Sequence, residues 1–388
     1  MPLVNMKDML VHAYRNGYAV GAFDAVSLDF VTGIMSAAES TRSPVILSLA
    51  ESHFDYFDFE LLMAAMERAA KRATVPVAIH MDHAASLDTA VRSIRHGGNG
   101  VMVDASHLPF EDNAARTLAV VEMARGCGVP VEGELGYIPG VEGEDAERHP
   151  GEIAYTTVNE AKAYVERTGV DFLAVSVGTV HGRMKGKPQL DYDRLRDINA
   201  ALGIPLVLHG GTGLDDEQYV RLIENGIAKI NYYTALAEAA GARVRDNGAA
   251  GKANYTGQMK GVADAIADEA ERCMKLWGGA GRADEVLEQS EPWTPVEHLI
   301  IYNTTNADPA DDLAMIREGE RVLSNIPGVM RIFTGEAVQD KAGYRYTWLV
   351  KFCHPAVIAS YRDHPDHVAF ANTHFRPIAG DRVSIDYH

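Results

Sequence analysis

Short apolar runs alternate with longer amphipathic stretches along most of this chain, and this alternation limits the folds open to it more than any other feature. Strands that alternate with helices form βαβ units of a parallel sheet. Near-continuous apolar strands are typical of a sheet that is covered on both faces. Eight such units predict an α/β protein with a closed (β/α)8 TIM barrel. The predicted strands are 19–23, 45–49, 77–81, 100–103, 129–132, 172–177, 205–208 and 228–230.

The length indicates a second domain. The chain has 388 residues, whereas a barrel of this kind typically takes about 250. The acidic, proline-containing segment 285–295 is typical of a linker, and beyond it short strands mix with helices. We therefore predict a TIM barrel over 1–284, a linker over 285–295 and a small α+β domain over 296–388.

Composition excludes several classes of partner. The formal net charge of −18 repels nucleic acids and anionic membranes, so we expect neither as a partner. The three cysteines are isolated and form no CxxC pair, which suits a reducing compartment. The N-terminus lacks a basic region followed by an apolar run, and no stretch approaches the roughly 18 uninterrupted apolar residues of a membrane span. These features predict a cytoplasmic protein.

Three histidines follow predicted strands of the barrel. His83, His181 and His209 come at the ends of the third, sixth and seventh strands, and barrel enzymes build their sites at these carboxyl ends. Three neutral imidazoles with an open fourth position form a catalytic zinc site, whereas structural zinc sites usually have four ligands. Each histidine alone could equally line a pocket edge, but their convergence favours a metal site. His80, also on the third strand, we interpret as structural.

Two acidic residues are placed to move protons. Asp82 adjoins one of the three histidines, so we expect it beside the metal. Glu142 lies in a glycine-rich, acidic loop after the fifth strand, which is typical of a mobile loop that delivers a carboxylate.

Glycines and hydroxyl-bearing residues follow the last strands of the barrel. Glycines let backbone N–H groups approach an anion, and the loops after the seventh and eighth strands commonly bind phosphate in this fold. We therefore predict a phosphate site formed by Gly182, Gly210, Gly211, Thr212, Asn231 and Thr234.

Together these motifs resemble the class II, zinc-dependent ketose-bisphosphate aldolases of the fructose- and tagatose-bisphosphate type. The resemblance covers residues 1 to 283 in order. It is carried by Gly-Ala-Phe at 21–23, His-Met-Asp-His at 80–83, the segment 101–109, Glu-Gly-Glu-Leu-Gly at 132–136, Val-His-Gly at 180–182, the segment 208–213 and Lys-Ile-Asn at 229–231.

The resemblance implies an activity and a role for each residue. It implies retro-aldol cleavage of a ketose phosphate to dihydroxyacetone phosphate and an aldehyde, through a zinc-stabilised enediolate. His83, His181 and His209 match the ligands of one Zn²⁺ per subunit, and Asp104 and Glu134 match carboxylates that hold the metal in an alternate position or lie behind its ligands.

The proton-transfer and substrate-binding residues are implied in the same way. Asp82 matches the residue that exchanges the hydroxyl proton, and Glu142 matches the residue that handles the proton on the enediolate carbon. Ser27, Lys185 and Arg282 also match substrate-contacting positions, the last from a neighbouring subunit. A monovalent cation beside the phosphate site is a further prediction.

Four positions depart from the pattern of the resembled family. Asp24 and Ser27 stand where asparagine is usual, Ala50 replaces serine or threonine, and Tyr233 replaces aspartate or alanine. The first three positions belong to the sugar-binding wall, and Tyr233 lies in the phosphate loop. We therefore expect a ketose phosphate other than fructose 1,6-bisphosphate as the substrate.

The C-terminal segment resembles a stress-responsive dimeric α/β-barrel domain. The resemblance is carried by His298–Tyr302, Ile-Pro-Gly-Val at 326–329, the segment 361–367 and the closing segment 383–387. It implies a ferredoxin-like fold that pairs two open sheets across a two-fold axis, and hence a homodimer or homotetramer. We interpret His364 and His367 as packing or interface residues.

Two alternative functions remain. One is a zinc hydrolase on the same barrel, but such barrels often carry a His-x-His pair after the first strand, where this chain has Ala22, Phe23 and Asp24. The other is a regulatory subunit that lost the chemistry. The presence of all three histidines with Asp82 and Glu142 argues against it.

Overall fold

Eight parallel strands close into a barrel in the computed structural model, which describes residues 2–139, 153–182, 189–306 and 308–388. Each strand pairs with the next along the chain, and the first pairs with the eighth. The prediction of a (β/α)8 barrel is confirmed. The strands are β1 (Val20–Asp24), β2 (Val45–Ala50), β3 (Val77–Ala84), β4 (Gly100–Val103), β5 (Val131–Leu135), β6 (Phe172–Val175), β7 (Leu206–Leu208) and β8 (Ile227–Tyr232).

Helices cover the outside of the barrel. They are α1 (Met6–Asn16), α2 (Leu28–Thr41), α3 (Phe59–Arg72), α4 (Leu87–Arg95), α5 (Phe110–Gly126), α6 (Val158–Thr168), α7 (Tyr192–Leu202), α8 (Asp216–Glu224), α9 (Thr234–Ala249), α10 (Tyr255–Gln258), α11 (Val262–Leu276) and α12 (Ala283–Gln289). Most are capped by short polar side chains, as Asn5 caps α1 and Asp58 caps α3. Helices α10 and α11 are separate, because Gly261 between them adopts a left-handed φ of 75°.

One cluster of the apolar core lies at the amino end of the barrel strands. Met6, Met9 and Leu10 of α1 are fully buried and belong to the same cluster as the strand residues Ala78 and Met102. The sequence pattern alone did not predict α1, which closes this end of the barrel. The polar residues of the candidate site lie at the opposite, carboxyl end of the strands.

An antiparallel four-stranded sheet forms the C-terminal domain, with strand order β10-β11-β9-β12. Four helices accompany the sheet, and this α+β architecture agrees with the predicted ferredoxin-like domain. The elements are β9 (Val296–Thr304), α13 (Pro309–Leu323), β10 (Val329–Glu336), β11 (Tyr346–Phe352), α14 (Val357–Asp363), α15 (Pro365–Phe370), a π-helical turn (Ala371–Phe375) and β12 (Ala379–Tyr387).

One face of this sheet is buried and the other is open. Along β11, Trp348 and Val350 are buried while Thr347 and Leu349 are partly exposed. Gly319 of α13 lies so close to the Trp348 ring that a Cβ atom there would be 2.4 Å away. The helices therefore pack on the buried face alone.

The chain divides into two compact units. The first comprises Met1–Ala90, Gly98–Val121 and Pro130–Pro292, and the second comprises Val91–Gly97, Glu122–Val129 and Trp293–His388. Within the segment 285–295, which the sequence predicts as a linker, residues up to Gln289 belong to helix α12. Among the described residues, no helix is long and apolar enough to cross a membrane.

Candidate active site

Three histidine rings meet at the carboxyl end of the barrel. His83 Nε2 lies 3.1 Å from His209 Nδ1, and His181 Nε2 lies 3.5 Å from the same atom. A tetrahedral Zn²⁺ with Zn–N distances of about 2.0–2.1 Å separates its ligand nitrogens by roughly 3.3–3.4 Å. The three nitrogens are thus spaced as the ligands of one ion.

The outer nitrogens of two of these rings are held by carboxylates. His209 donates its Nε2–H to Glu132 Oε1 at 3.0 Å, and His83 donates its Nδ1–H to Asp104 Oδ2 at 2.9 Å. When both rings are neutral, each carries one proton, so the two nitrogens that face each other at 3.1 Å both present lone pairs. Lone pairs at this distance repel unless a proton or a cation lies between them. The donor set therefore fits a metal ion, with carboxylates behind the ligands as metal sites usually have.

The electrostatics of the three rings agree with this geometry. Burial, aided by the charge of His83, lowers the pKa of His181 to about 3, so its ring is neutral and able to bind a metal. Burial also lowers the pKa of His209. At His83 burial is outweighed by the charges of Asp82 and Asp104, which raise its pKa well above the ordinary value. The surrounding field thus favours a positive charge at this point.

A local irregularity of β3 turns two consecutive side chains toward the same site. Successive residues of a regular strand point to opposite faces, yet Asp82 and His83 both reach the cluster. The register between β3 and β4 shifts between Met81 and Ala84, and His83 has a left-handed φ of 46°. Such a conformation is uncommon outside glycine and is typical of functional positions.

Asp82 is fully buried beside the histidines. Its Oδ1 accepts a hydrogen bond from Asn231 Nδ2 at 2.8 Å, and its Oδ2, 3.9 Å from His83 Nε2, has no hydrogen-bond partner among the described residues. Burial favours the neutral acid, but the charges of His83 and His209 outweigh it and lower the pKa of Asp82. The ionised carboxylate is therefore available as a proton acceptor.

A second pair of carboxylates lines the site on the β4 and β5 side. Asp104 and Glu134 lie with His83 in a group whose ligand atoms are all within 4.8 Å of one another. Glu134 is buried, and its Oε2 has no hydrogen-bond partner among the described residues. Burial and the charge of Asp104 raise the pKa of Glu134 well above its usual range. Both carboxylates therefore lie beside His83.

Sequence reasoning missed an ion pair in the barrel interior. Lys229 of β8 contacts Glu132 Oε2 at 2.7 Å and donates to His80 Nε2 at 3.3 Å, and all three side chains are fully buried. Burial alone would raise the pKa of Glu132, but Lys229 and the hydrogen bond from His209 hold it at about 2. The sequence signal for this ion pair was a lysine and a glutamate inside predicted buried strands, because buried charges are rare unless they are paired.

The predicted phosphate-binding residues come together at the ends of β6, β7 and β8. Gly210 has a left-handed φ of 65°, and a Cβ atom there would lie 2.2 Å from the carbonyl oxygen of Val180. Only glycine lets the loop after β7 approach the loop after β6 so closely. Gly182 and Thr212, which belong to these two loops, therefore lie on the same rim of the barrel. Helix α9 begins at Thr234 directly after β8, and no side chain caps its first turn.

Two predicted site residues, Ser27 and Arg282, are not brought into this cluster. Ser27 caps helix α2, its Oγ accepting from the Phe30 N–H at 3.4 Å. Arg282 contacts Glu285 at 3.0 Å and lies over the ring of Tyr18, which precedes β1 and so lies at the opposite end of the barrel in the same chain. Glu142 and Lys185 lie outside the described residues.

Comparisons with known proteins agree with this architecture. The family described as "Fructose-bisphosphate aldolase class-II" matches residues 4–282, and the "Stress responsive A/B Barrel Domain" matches residues 296–388. A "Probable fructose-bisphosphate aldolase" of Bacillus subtilis is 42% identical over 258 residues, which are 66% of this chain and 90% of that protein. A "Fructose-bisphosphate aldolase" of Staphylococcus aureus is 41% identical over 249 residues, 63% of this chain and 86% of that protein.

A solved structure gives the same result. The crystal structure of the YdjI aldolase from Escherichia coli K12 is 34% identical, with a TM-score of 0.66 over 72% of this chain and 99% of that one. The family match spans well over half of the chain and all eight barrel strands. The chain therefore belongs to the class II fructose-bisphosphate aldolase family and is an aldolase of that class.

Proposed function

We propose that the barrel is a zinc-dependent aldolase that cleaves a ketose phosphate to dihydroxyacetone phosphate and an aldehyde. The observation that carries this proposal is the spacing of three imidazole nitrogens: His83 Nε2 and His209 Nδ1 lie 3.1 Å apart, with His181 beside them. A divalent cation between these nitrogens would be held by all three rings. Carboxylates hold the outer nitrogens of both rings, so the ligand orientations are already set before an ion binds.

The cleavage reaction needs an electron sink and two proton transfers. Zn²⁺ held by the three histidines would supply Lewis acidity, worth several kcal/mol of charge stabilisation in the transition state. The rest of the chemistry falls to side chains. Asp82 removes the proton from the hydroxyl group next to the bond that breaks, and the electrons of that bond pass to the ketose carbonyl.

Asp82 is well placed to act as this base. Asn231 fixes one of its oxygens by a hydrogen bond of 2.8 Å, and the other oxygen faces the histidine cluster without a hydrogen-bond partner among the described residues. A positioned base of this kind contributes about 10²–10⁴-fold in rate. Water is kept from the carboxylate by its complete burial.

Glu142 is proposed to return a proton to the enediolate carbon. This role rests on the family resemblance and on the glycine-rich, acidic composition of its segment. In many enzymes a loop that closes over bound substrate completes the catalytic site in this way.

The phosphate group is proposed to bind at the rim formed by Gly182, Gly210, Thr212 and Thr234. The start of α9 offers backbone N–H groups that no side chain caps, and helix N-termini attract anions. The glycine backbone and the threonine hydroxyls add further donors. The site thus binds phosphate on a chain whose overall charge is negative.

The wall at the ends of β1, β2 and β8 supports a substrate other than fructose 1,6-bisphosphate. The buried His53 contacts both Asp24 and Tyr233 there: its Nδ1 lies 4.0 Å from Asp24 Oδ2, and its ring centroid lies 4.6 Å from that of Tyr233. Asp24 and Tyr233 are among the positions that depart from the family pattern. A carboxylate at this wall disfavours a second phosphate group, so we propose that the aldehyde half lacks one.

A substrate screen tests the proposed function. Ketose 1-phosphates and ketose 1,6-bisphosphates are offered in parallel, and released dihydroxyacetone phosphate is measured by a coupled reaction with and without a chelator. We expect chelator-sensitive release from a ketose 1-phosphate. No release from any member of the panel by metal-loaded protein would contradict the aldolase proposal.

Glu132→Gln is expected to weaken metal binding by about 10–100-fold, the usual cost of losing a carboxylate behind a ligand. The glutamine keeps the size of the side chain but no longer holds the His209 Nε2–H with a charged acceptor. Competition with a chromophoric chelator measures the change. Glu122→Gln, exposed on α5, is the matched control, and equal metal affinities in the two variants would contradict the role of Glu132.

We also propose that the C-terminal domain joins two copies of the chain through its open sheet face. The central row of that face is apolar across all four strands, with Phe333, Leu349, Leu299 and Ile385 in register. Phe333 and Ile385 remain 46% and 42% exposed, although large apolar side chains are usually covered. An open four-stranded sheet becomes a closed barrel only with a second sheet, and a second copy supplies one by two-fold symmetry.

Leu299→Asp is expected to separate the copies, because it places a charge at the centre of the apolar row. Light scattering after size-exclusion chromatography should show a smaller assembly than the parent forms. The control Leu313→Asp changes an exposed residue of α13 on the other side of the sheet. An unchanged mass for Leu299→Asp would rule out this face as the interface.

A further inference from the structure

A second group of metal-binding side chains lies inside the barrel, next to the histidine cluster. His80, Asp82 and Glu132 offer one imidazole nitrogen and two carboxylate oxygens, all within 4.8 Å of one another. His80 Nε2 lies 3.7 Å from Glu132 Oε2 and 4.0 Å from Asp82 Oδ1. The ligands of a zinc ion lie about 2.0–2.2 Å from it, so inward shifts of a few tenths of an ångström would form a three-ligand site.

A cation already lies at this group. The Lys229 ammonium is 2.7 Å from Glu132 Oε2 and 3.3 Å from His80 Nε2. An ammonium has donors and no acceptor, so His80 turns a lone pair toward it, as a ligand turns one toward a metal. All the side chains of the group are completely buried, and Asp82 Oδ1, the oxygen nearer His80, accepts a hydrogen bond from Asn231 Nδ2 at 2.8 Å.

We propose that Lys229 is a tethered cation: its ammonium holds Glu132 and His80, two members of a second metal-binding group that Asp82 completes, and so limits the barrel interior to one divalent ion. The physical basis is charge. Two buried carboxylates need a positive counter-charge nearby, and a lysine on β8 supplies it permanently. That one ion binds at the histidine cluster rests on the proposed function. That an ion can replace the Lys229 ammonium does not depend on that function.

The substitution Lys229→Met tests this proposal, because methionine is similar in length and carries no charge. We expect the variant to bind one more Zn²⁺ per chain than the parent does, measured by elemental analysis after equilibration with the same free Zn²⁺ concentration. Its melting temperature is expected to rise with added Zn²⁺ beyond the rise seen in the parent. Lys71→Met, which removes the same charge from the partly exposed surface of α3, should match the parent in both measurements.

A double variant separates a bound ion from a general change in the barrel. In Lys229→Met with Glu132→Gln, the ammonium and one ligand are lost together, so no additional ion is expected. If Lys229→Met is unfolded without metal, Zn²⁺ should restore its fold, since the ion replaces the lost counter-charge.

Two results would overturn the proposal. One is a folded Lys229→Met chain that binds no more Zn²⁺ than the parent, and the other is a chain that stays unfolded in saturating Zn²⁺. A parent that binds no ion at all would instead contradict the proposed zinc centre. In that case a difference of one ion between variant and parent still supports the role of Lys229.

Discussion

His209→Ala is expected to abolish both metal binding and cleavage. His209 Nδ1 lies within 3.5 Å of both other ring nitrogens, so it is the shared member of the cluster. Without it two ligands remain, fewer than the three that protein side chains supply to a catalytic zinc ion. Loss of several kcal/mol of Lewis-acid stabilisation lowers the rate by about 10³-fold or more, because each 1.36 kcal/mol is worth tenfold.

Metal content by elemental analysis and turnover of the best ketose phosphate measure this outcome together. His107→Ala serves as a matched control, since His107 follows β4 in the same barrel and is exposed. The control should keep both metal and turnover. A His209→Ala chain that is metal-free but cleaves at the parent's rate would show that the histidine cluster is not the reaction centre.

Asp82→Asn is expected to lower kcat by about 10²–10⁴-fold while the metal stays bound. The amide oxygen still accepts the hydrogen bond from Asn231 Nδ2, so the side chain stays in place. It no longer accepts the substrate hydroxyl proton. Dihydroxyacetone phosphate should bind nearly as in the parent, because the proposed phosphate rim is untouched.

Single-turnover kinetics and binding measurements separate these effects. Asp268→Asn removes an equal charge from the exposed surface of α11 and should leave kcat unchanged. Turnover by Asp82→Asn within about threefold of the parent would exclude Asp82 as the base. Loss of metal from this variant would instead assign it a role in holding the ion.

The barrel was predictable from the sequence because each of its strands is buried on both faces. Strands β1 and β2 are completely buried and are apolar except for Asp24 and Ser48, and glycines or prolines separate the strands from the helices. Helix α1 was not predicted. It closes the end of the barrel with Met6, Met9 and Leu10, and the open end that it covers exists only once the sheet has closed.

The same limit applies to the candidate site. His83, His181 and His209 were predictable as a group because parallel strands bring their carboxyl ends together. The joint orientation of Asp82 and His83 was not, because it depends on the left-handed backbone at His83. Lys229 of β8 pairs with Glu132 of β5 across the barrel interior. The sequence of either strand alone does not indicate which residue the other strand supplies.

The most direct test of the zinc-dependent aldolase is a metal titration of the stripped protein. Metal is removed with a chelator, Zn²⁺ is added in substoichiometric steps, and release of dihydroxyacetone phosphate is measured at each step. Cleavage should be absent without metal and should rise in proportion to bound Zn²⁺, reaching its plateau at one ion per chain. A stripped protein that cleaves substrate at the full rate, or a rate indifferent to added Zn²⁺, would contradict the account.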